Sequence, residues 1–198
     1  MAKSMNWIQA ERSIRRQALR MFTPVELQRL LGLSPVAARF LAHRYAKRGA
    51  LLKLRNGLYT LADSPPSELA IANRLYEPSY LSFDFALAYY HLIPEMVYAV
   101  TSATTRPTRT LTVMGSTFTY HRIKADAFTG YEPVKHNGET VLIATPEKAL
   151  ADELYFVDLK KKSLNDRLNL RLLQWRRVEQ YAELFVRPSL MRLVRSLR

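Results

Sequence analysis

FTPVELQRLLGLSPVAARFLAHRYAKRGALLKLRNGLYTL, residues 22–61, decides the reading of this 198-residue chain. Thr23 is an N-cap residue, Pro24 suits the first helical position, and Glu26 completes a T-x-x-E capping box, so a helix is expected to start at Pro24. Leu27, Leu30 and Leu31 give that helix one apolar face, and Gly32 can take the left-handed conformation that ends it. Ser34-Pro35 repeats the device and opens a second helix that runs to Gly49. Beyond Gly49 the apolar period changes from helical to alternating. Residues 50–54 and 58–61 read as two strands, and Asn56-Gly57 joins them as a hairpin turn. Helix, two-residue turn, helix and hairpin is the order of a winged helix-turn-helix.

The second helix divides cleanly on a wheel. Ala38, Leu41, Ala42 and Tyr45 share one face, which leaves Arg39, His43 and Lys47 as an i, i+4, i+8 stripe elsewhere. A solvated helix face also shows such a stripe. In a helix-turn-helix, however, the second helix enters the major groove by its N-terminal half. Pro35, Val36, Arg39, His43 and Lys47 are therefore the candidate DNA-contacting residues of this helix. Lys53, Arg55 and Asn56 put cationic and amide donors at the hairpin tip, where they would reach phosphates or the minor groove. Gly57 serves the turn and is assigned no contact.

Composition agrees with a folded protein: 48% of residues are hydrophobic and 24% charged. The absence of Cys excludes disulfides, thiolate nucleophiles and cysteine zinc sites, and the four His (43, 91, 121, 136) have no metal-ligand spacing. No metal and no cofactor is expected. The opening MAKSMNWIQAERS lacks a signal-peptide core, and no later stretch has the length of a membrane span, so a cytoplasmic protein without membrane contact is expected. The net charge of +13 is unevenly placed. Residues 1–62 hold twelve Lys and Arg against two Asp and Glu (+10), residues 63–162 ten against twelve (−2), and residues 163–198 eight against three (+5). A polyanion partner for the N-terminal part follows, because Lys and Arg set against phosphates release counterions. A membrane surface is the competing polyanion. It fits less well, since the basic segment carries a packed two-helix pattern and not one amphipathic helix with an aromatic face.

Ahead of the motif, Ala10, Ile14, Ala18, Met21 and Phe22 recur at helical spacing and predict a first helix, with Trp7 and Ile8 packing against the core or forming a small dimer contact. The run Asp63-Ser64-Pro65-Pro66-Ser67 reads as a linker. It separates a DNA-binding domain, 1–62, from a second domain, 67–198. In the latter, helices are expected at 68–76 and, capped by Ser82, at 83–91. Strands follow at 97–104, 109–114, 116–123 and 139–144, with a hairpin turn at Met114-Gly115-Ser116 and another turn at His136-Asn137-Gly138. Thr145-Pro146-Glu147 opens one more helix through about Phe156. From about 163 the chain reads as a basic helical tail, broken at Pro188. The fold class expected is α+β, with a mostly antiparallel sheet in the second domain.

A search for catalytic constellations in that domain finds no G-x-S-x-G, no H-E-x-x-H and no phosphate-cradling glycine loop; the chain has six Gly in all. Asp152-Glu153 are neighbours on a helix and point about 100° apart, so they read as solvated positions. Asp158-x-Lys160 with Asp84 faintly suggests a nuclease, yet these residues fall on helices or loops and not on the strand such a site requires. Tyr89-Tyr90-His91 would stack on a base or, more simply, pack in the core.

The order of features resembles the AbiEi family of antitoxins from type IV toxin–antitoxin systems. The resemblance is carried by KLRNGLYTL (53–61), SFDFALAYYHLIPE (82–95), a strand-rich middle ending in YHRIK (120–124), and IATPEKALAD (143–152), and it covers residues from about 22 to about 155. It implies an N-terminal winged helix that binds operator repeats and represses its own operon. It also implies a C-terminal domain that counters a nucleotidyltransferase toxin, not necessarily by direct contact. The family's DNA-binding helix falls on residues 35–48 and its wing on 53–59. The short, very basic tail departs from the family. The expected protein is thus a non-enzymatic, DNA-binding repressor of antitoxin type. The alternatives are a stand-alone regulator or partner-binding module without antitoxin activity, and a nucleic-acid-processing enzyme.

Overall fold

A computed structural model describes residues 6–171 and 173–198, and the chain divides into two compact units, Met1–Ser67 and Glu68–Arg198. The first unit contains α1 (Trp7–Arg16), α2 (Pro24–Leu31), α3 (Pro35–Lys47), β1 (Leu51–Arg55) and β2 (Leu58–Leu61). Its core gathers Ala10 and Ile14 from α1, Leu27 from α2, Ala38, Leu41 and Ala42 from α3, and Phe22, Leu51, Tyr59 and Leu61. Trp7 stacks on Tyr45 at 4.2 Å, which closes the open end of this core. Ile8 stays outside it, 62% exposed.

The first helix stops earlier than its periodicity predicts. After Arg16 the chain turns, Ala18 takes a left-handed φ of 50°, and Phe22 leaves the helix to exchange two 2.9 Å backbone hydrogen bonds with Tyr59. Pairing Phe22 with the hairpin buries its ring completely, which a continued helix would not do. The run Asp63–Ser67 is no free linker either. Asp63 accepts from Arg15, and the Arg20 guanidinium donates to the Ser64 hydroxyl at 2.8 Å, so the run belongs to the first unit.

The second unit holds α4 (Glu68–Leu75), β3 (Ser79–Leu81), α5 (Phe83–Tyr89), β4 (Val100–Thr104), β5 (Arg109–Val113), β6 (Ser116–Arg122), β7 (Tyr131–His136), β8 (Glu139–Ala144), α6 (Pro146–Asp158), α7 (Trp175–Glu183) and α8 (Pro188–Ser196). Six strands form one sheet in the order β5-β6-β4-β3-β8-β7. The sheet is mixed: three neighbouring pairs are antiparallel, but β4 with β6 and β3 with β8 run parallel. β4 and β6 meet in parallel because β5, the strand between them in the chain, lies outside β6 at the sheet edge; β3 lies between β4 and β8 and meets β8 in parallel. β3 touches β8 at the single pair Leu81–Ile143. The backbone of Leu142 is satisfied instead by the Asn73 side chain of α4, which donates to its carbonyl at 3.2 Å and accepts from its N–H at 2.6 Å.

The basic tail is helical only in part. Residues 159–174 contain no helix among those described; α7 and α8 follow, and Pro188 starts α8 at its first position, where a proline is tolerated. Among the described residues no helix is long and apolar enough to cross a membrane.

Candidate functional site

In the first unit the helix ends behave as their residues dictate. The Glu26 N–H donates to the Thr23 hydroxyl at 3.2 Å while the Glu26 carboxylate accepts from the Thr23 N–H at 2.6 Å. Gly32 closes α2 at φ 62°, and Ser34 accepts from the Ala37 N–H at 3.2 Å to open α3. These caps fix the rotation of α3, so Ala38, Leu41 and Ala42 are buried and Tyr45 half-buried against the core. Pro35, Val36, Arg39, His43 and Lys47 are all exposed, together with Phe40, Arg44 and Arg48.

The hairpin carries Lys53, Arg55 and Asn56 at its exposed end, with Gly57 at φ 74° in the turn. Its register shifts between Lys53 and Arg55, where Leu54 is the extra residue and is buried. The Arg55 guanidinium curls back to the Asn56 carbonyl at 3.1 Å.

The electrostatics of this unit follow from where its carboxylates are used. It has three, and none faces α3's outer side: Glu11 and Asp63 both pair with Arg15, and Glu26 caps α2. Those two carboxylates, Glu11 first, raise the Arg15 guanidinium above its ordinary value. Among the described residues, Arg39, Arg44, Lys47, Lys53 and Arg55 take part in no ion pair. One helix face and one hairpin tip thus carry cations that have no counter-charge among the described residues.

The sequence reading missed Phe40 and Arg44. Both lie on the face opposite Ala38, Leu41 and Ala42, and the i, i+4 pair Val36–Phe40 was a legible signal for one of them.

The second unit places its charged residues differently from expectation. Asp152 and Glu153 are not solvated: Asp152 is fully buried and Glu153 is 7% exposed, because α6 lies under the sheet and the helices around it. Lys148, one turn before Asp152 and also fully buried, is its ion-pair partner; Tyr80 and Ser82 donate to the other carboxylate oxygen at 2.9 and 2.7 Å. Ser82 therefore spends its hydroxyl on Asp152 and makes no capping bond to α5. Burial pushes Asp152 up against the opposing pull of Lys148, and burial first, then Asp152, pushes Tyr80 well above its usual range. With every member buried, the cluster offers no atom to an outside substrate.

The nuclease-like trio is also dispersed. Asp158 pairs with Arg187, while Asp84 and Glu153 share Lys162, the latter at 2.8 Å. Among the described residues no group of three His, Asp or Glu is placed to hold a metal. Tyr89 and Tyr90 meet edge to face at 5.1 Å, and Tyr89 borders an open groove of about 580 Å³ that Phe85, Ile93, Met96 and Val97 also line. Met96 is 81% exposed, and Tyr98, two residues on, is 87% exposed.

His121 sits between Phe83 and Phe156, with ring centroids 4.9 and 5.1 Å away. Burial, then the nearby Lys162, lowers its pKa to about 4 from 6.5. The unfolded chain therefore binds this proton more tightly, and the contribution of His121 to stability, full above 6.5, is lost as pH falls through 4. Glu153, raised by burial from 4.5 to about 7, gives the opposite slope, with stability falling as pH rises through that window. His121→Phe keeps the ring packing and removes only the first slope. Its Tm is expected to fall less than that of the parent between pH 6.5 and pH 4; parallel Tm curves would show that His121 is not the titrating group.

Comparison of the chain with models of known protein families gives no match, and comparison with curated proteins gives none.

Proposed function

We propose that the first unit is a winged helix that binds duplex DNA, and that the protein is a transcriptional repressor of the antitoxin type. One observation carries the DNA reading: Arg39, Arg44, Lys47, Lys53 and Arg55 are exposed on α3 and the hairpin with no ion-pair partner among the described residues, while all three carboxylates of the unit are engaged elsewhere. Arg39, His43 and Lys47 would meet the major groove, with Pro35 and Val36 at the entering end of the helix. Lys53, Arg55 and Asn56 would hold phosphates or the minor groove. The antitoxin half of the reading rests on the sequence resemblance to the AbiEi family, and it involves no enzymatic step. A different reading of the second unit, as a partner-binding module, is favoured by the groove beside Tyr89 and the exposed Met96 and Tyr98.

Binding of the full chain to labelled duplex DNA between 50 and 200 mM salt tests the first half. Log affinity is expected to fall against log salt with a slope of about −0.9 for each phosphate contacted. A salt-independent interaction, or none, would overturn it. The two kinds of contact should also separate. Arg39→Ala is expected to cost about 1–3 kcal/mol on a preferred sequence and blur preference at one position, whereas Lys53→Ala weakens all sequences alike and flattens the slope by about 1. Rescue of growth from a co-expressed nucleotidyltransferase toxin encoded beside the gene tests the antitoxin half. Failure to rescue while DNA binding persists leaves a stand-alone regulator.

A further inference from the structure

Val36 and Phe40 are 59% and 64% exposed in the middle of a cationic helix face. At about 100° per residue, Val36, His43, Lys47 and Phe40 all project within roughly 30° of the direction opposite the inward-facing Ala38–Leu41–Ala42–Tyr45 stripe. The apolar pair therefore stands at the centre of the outward face, and Arg39 and Arg44 stand at its edges. Leaving a phenylalanine in water forfeits the burial that its ring would gain in a core, and among the described residues Phe40 makes no ring contact with Trp7, Tyr45 or any other aromatic.

Charge selects what covers it. A second copy of the same face would bring Arg39, Arg44 and Lys47 against their own counterparts, a like-charge arrangement that opposes self-association. A polyanion has the complementary sign. Of the groups a duplex shows in its major groove, the C5 methyl of thymine is the apolar one, and alanine, threonine and phenylalanine side chains are suited to it. Resting on the DNA-binding reading above, we propose that Val36 and Phe40 form an apolar thymine-reading site, so that the sequence preference of this protein includes thymine methyl groups beneath α3.

The test uses a duplex selected by the full chain from a randomised pool and resynthesised with deoxyuridine in place of thymidine, one position at a time. The substitution removes a methyl group and leaves the hydrogen-bonding edges and phosphates intact. At the positions under α3, uracil is expected to weaken binding about three- to fivefold per methyl, the worth of one buried methyl group. Phe40→Ala and Val36→Ala should bind the thymine duplex more weakly, lose the thymine-over-uracil difference, and keep the salt slope of the parent, since neither side chain touches phosphate. Both residues are exposed, so an unchanged Tm is expected and serves as the folding control. Equal affinity for thymine and uracil duplexes by a chain that still binds DNA overturns the thymine site and leaves the DNA-binding reading standing. Loss of affinity by Phe40→Ala for both duplexes alike means that the ring stacks on bases or supports the fold, and also overturns it. If no duplex is recovered from the pool, the DNA-binding reading fails and the thymine site with it. If Phe40→Ala instead dissociates an oligomer seen by sedimentation, the face is a protein contact.

Discussion

Asp152→Ala is expected to destabilise the second unit by about 3–5 kcal/mol, the cost of leaving a buried charge without its partner. Lys148 is fully buried, and Asp152 is the carboxylate that pairs with it. Removal of that carboxylate also strands the hydroxyls of Tyr80 and Ser82, both of which are completely buried and both of which donate to it. Each orphaned donor adds a desolvation penalty. Against a total stability of roughly 5–15 kcal/mol for a domain, the loss is a large fraction. The chain has two tryptophans, Trp7 in the first unit and Trp175 in the second, so Trp7→Phe isolates the signal of the affected unit in a urea titration. A shift in the Trp175 transition worth less than about 1 kcal/mol would show that the network can be dissolved cheaply. The double variant Lys148→Met/Asp152→Leu removes both charges together and should recover much of the loss, since replacing a buried pair by apolar groups of similar volume is often neutral. It should not recover all of it, because Tyr80 and Ser82 still lack an acceptor.

That network shows which physics a linear reading can reach. Thr23-Pro24, Ser34-Pro35 and Thr145-Pro146 placed three helix starts correctly, because a cap and the proline after it act within four residues of one another. Met114-Gly115 placed a hairpin and Asn137-Gly138 a turn for the same reason, with φ of 53°, 84°, 49° and 79° at the four positions. Asp152 was misread because its environment is supplied by Tyr80 and Ser82, some 70 residues earlier, and nothing local distinguishes a charge on a buried helix from one on a solvated helix. Two strands were missed for different causes. β3 has only three residues, all buried, and shows no alternation at all. β7 contains Pro133, a residue that donates no ladder hydrogen bond and so weakens any local strand signal; as the outermost strand β7 can accommodate it. On α3 the exposure of the charged stripe agrees with the wheel, whereas the exposed Phe40 runs against the ordinary preference of an aromatic side chain for the core.

The triple variant Arg39→Glu/Lys47→Glu/Lys53→Glu is expected to lower duplex affinity by at least about two orders of magnitude. Arg39 alone is assigned about 1–3 kcal/mol as a base-reading contact, and each introduced carboxylate sets a like charge against the phosphates. The fold has little reason to respond. All three positions are exposed and free of ion pairs among the described residues, and surface changes of that kind usually stay within about 0.5 kcal/mol each. The Tm and the far-ultraviolet spectrum should therefore match the parent while binding collapses. The neutral variant Arg39→Ala/Lys47→Ala/Lys53→Ala separates the two contributions: it should retain some affinity, with a salt slope flatter by about 0.9 for every phosphate contact removed. Retention of parental affinity by the charge-reversed protein at 150 mM salt would move the polyanion site elsewhere, and the basic tail, with eight Lys and Arg against three acids over residues 163–198, would be the place to look. On that tail several arginines are already matched, Arg187 by Asp158, Arg167 by Glu95 and Arg198 by Glu179. Arg39, Arg44, Lys47, Lys53 and Arg55 of the first unit have no such match among the described residues.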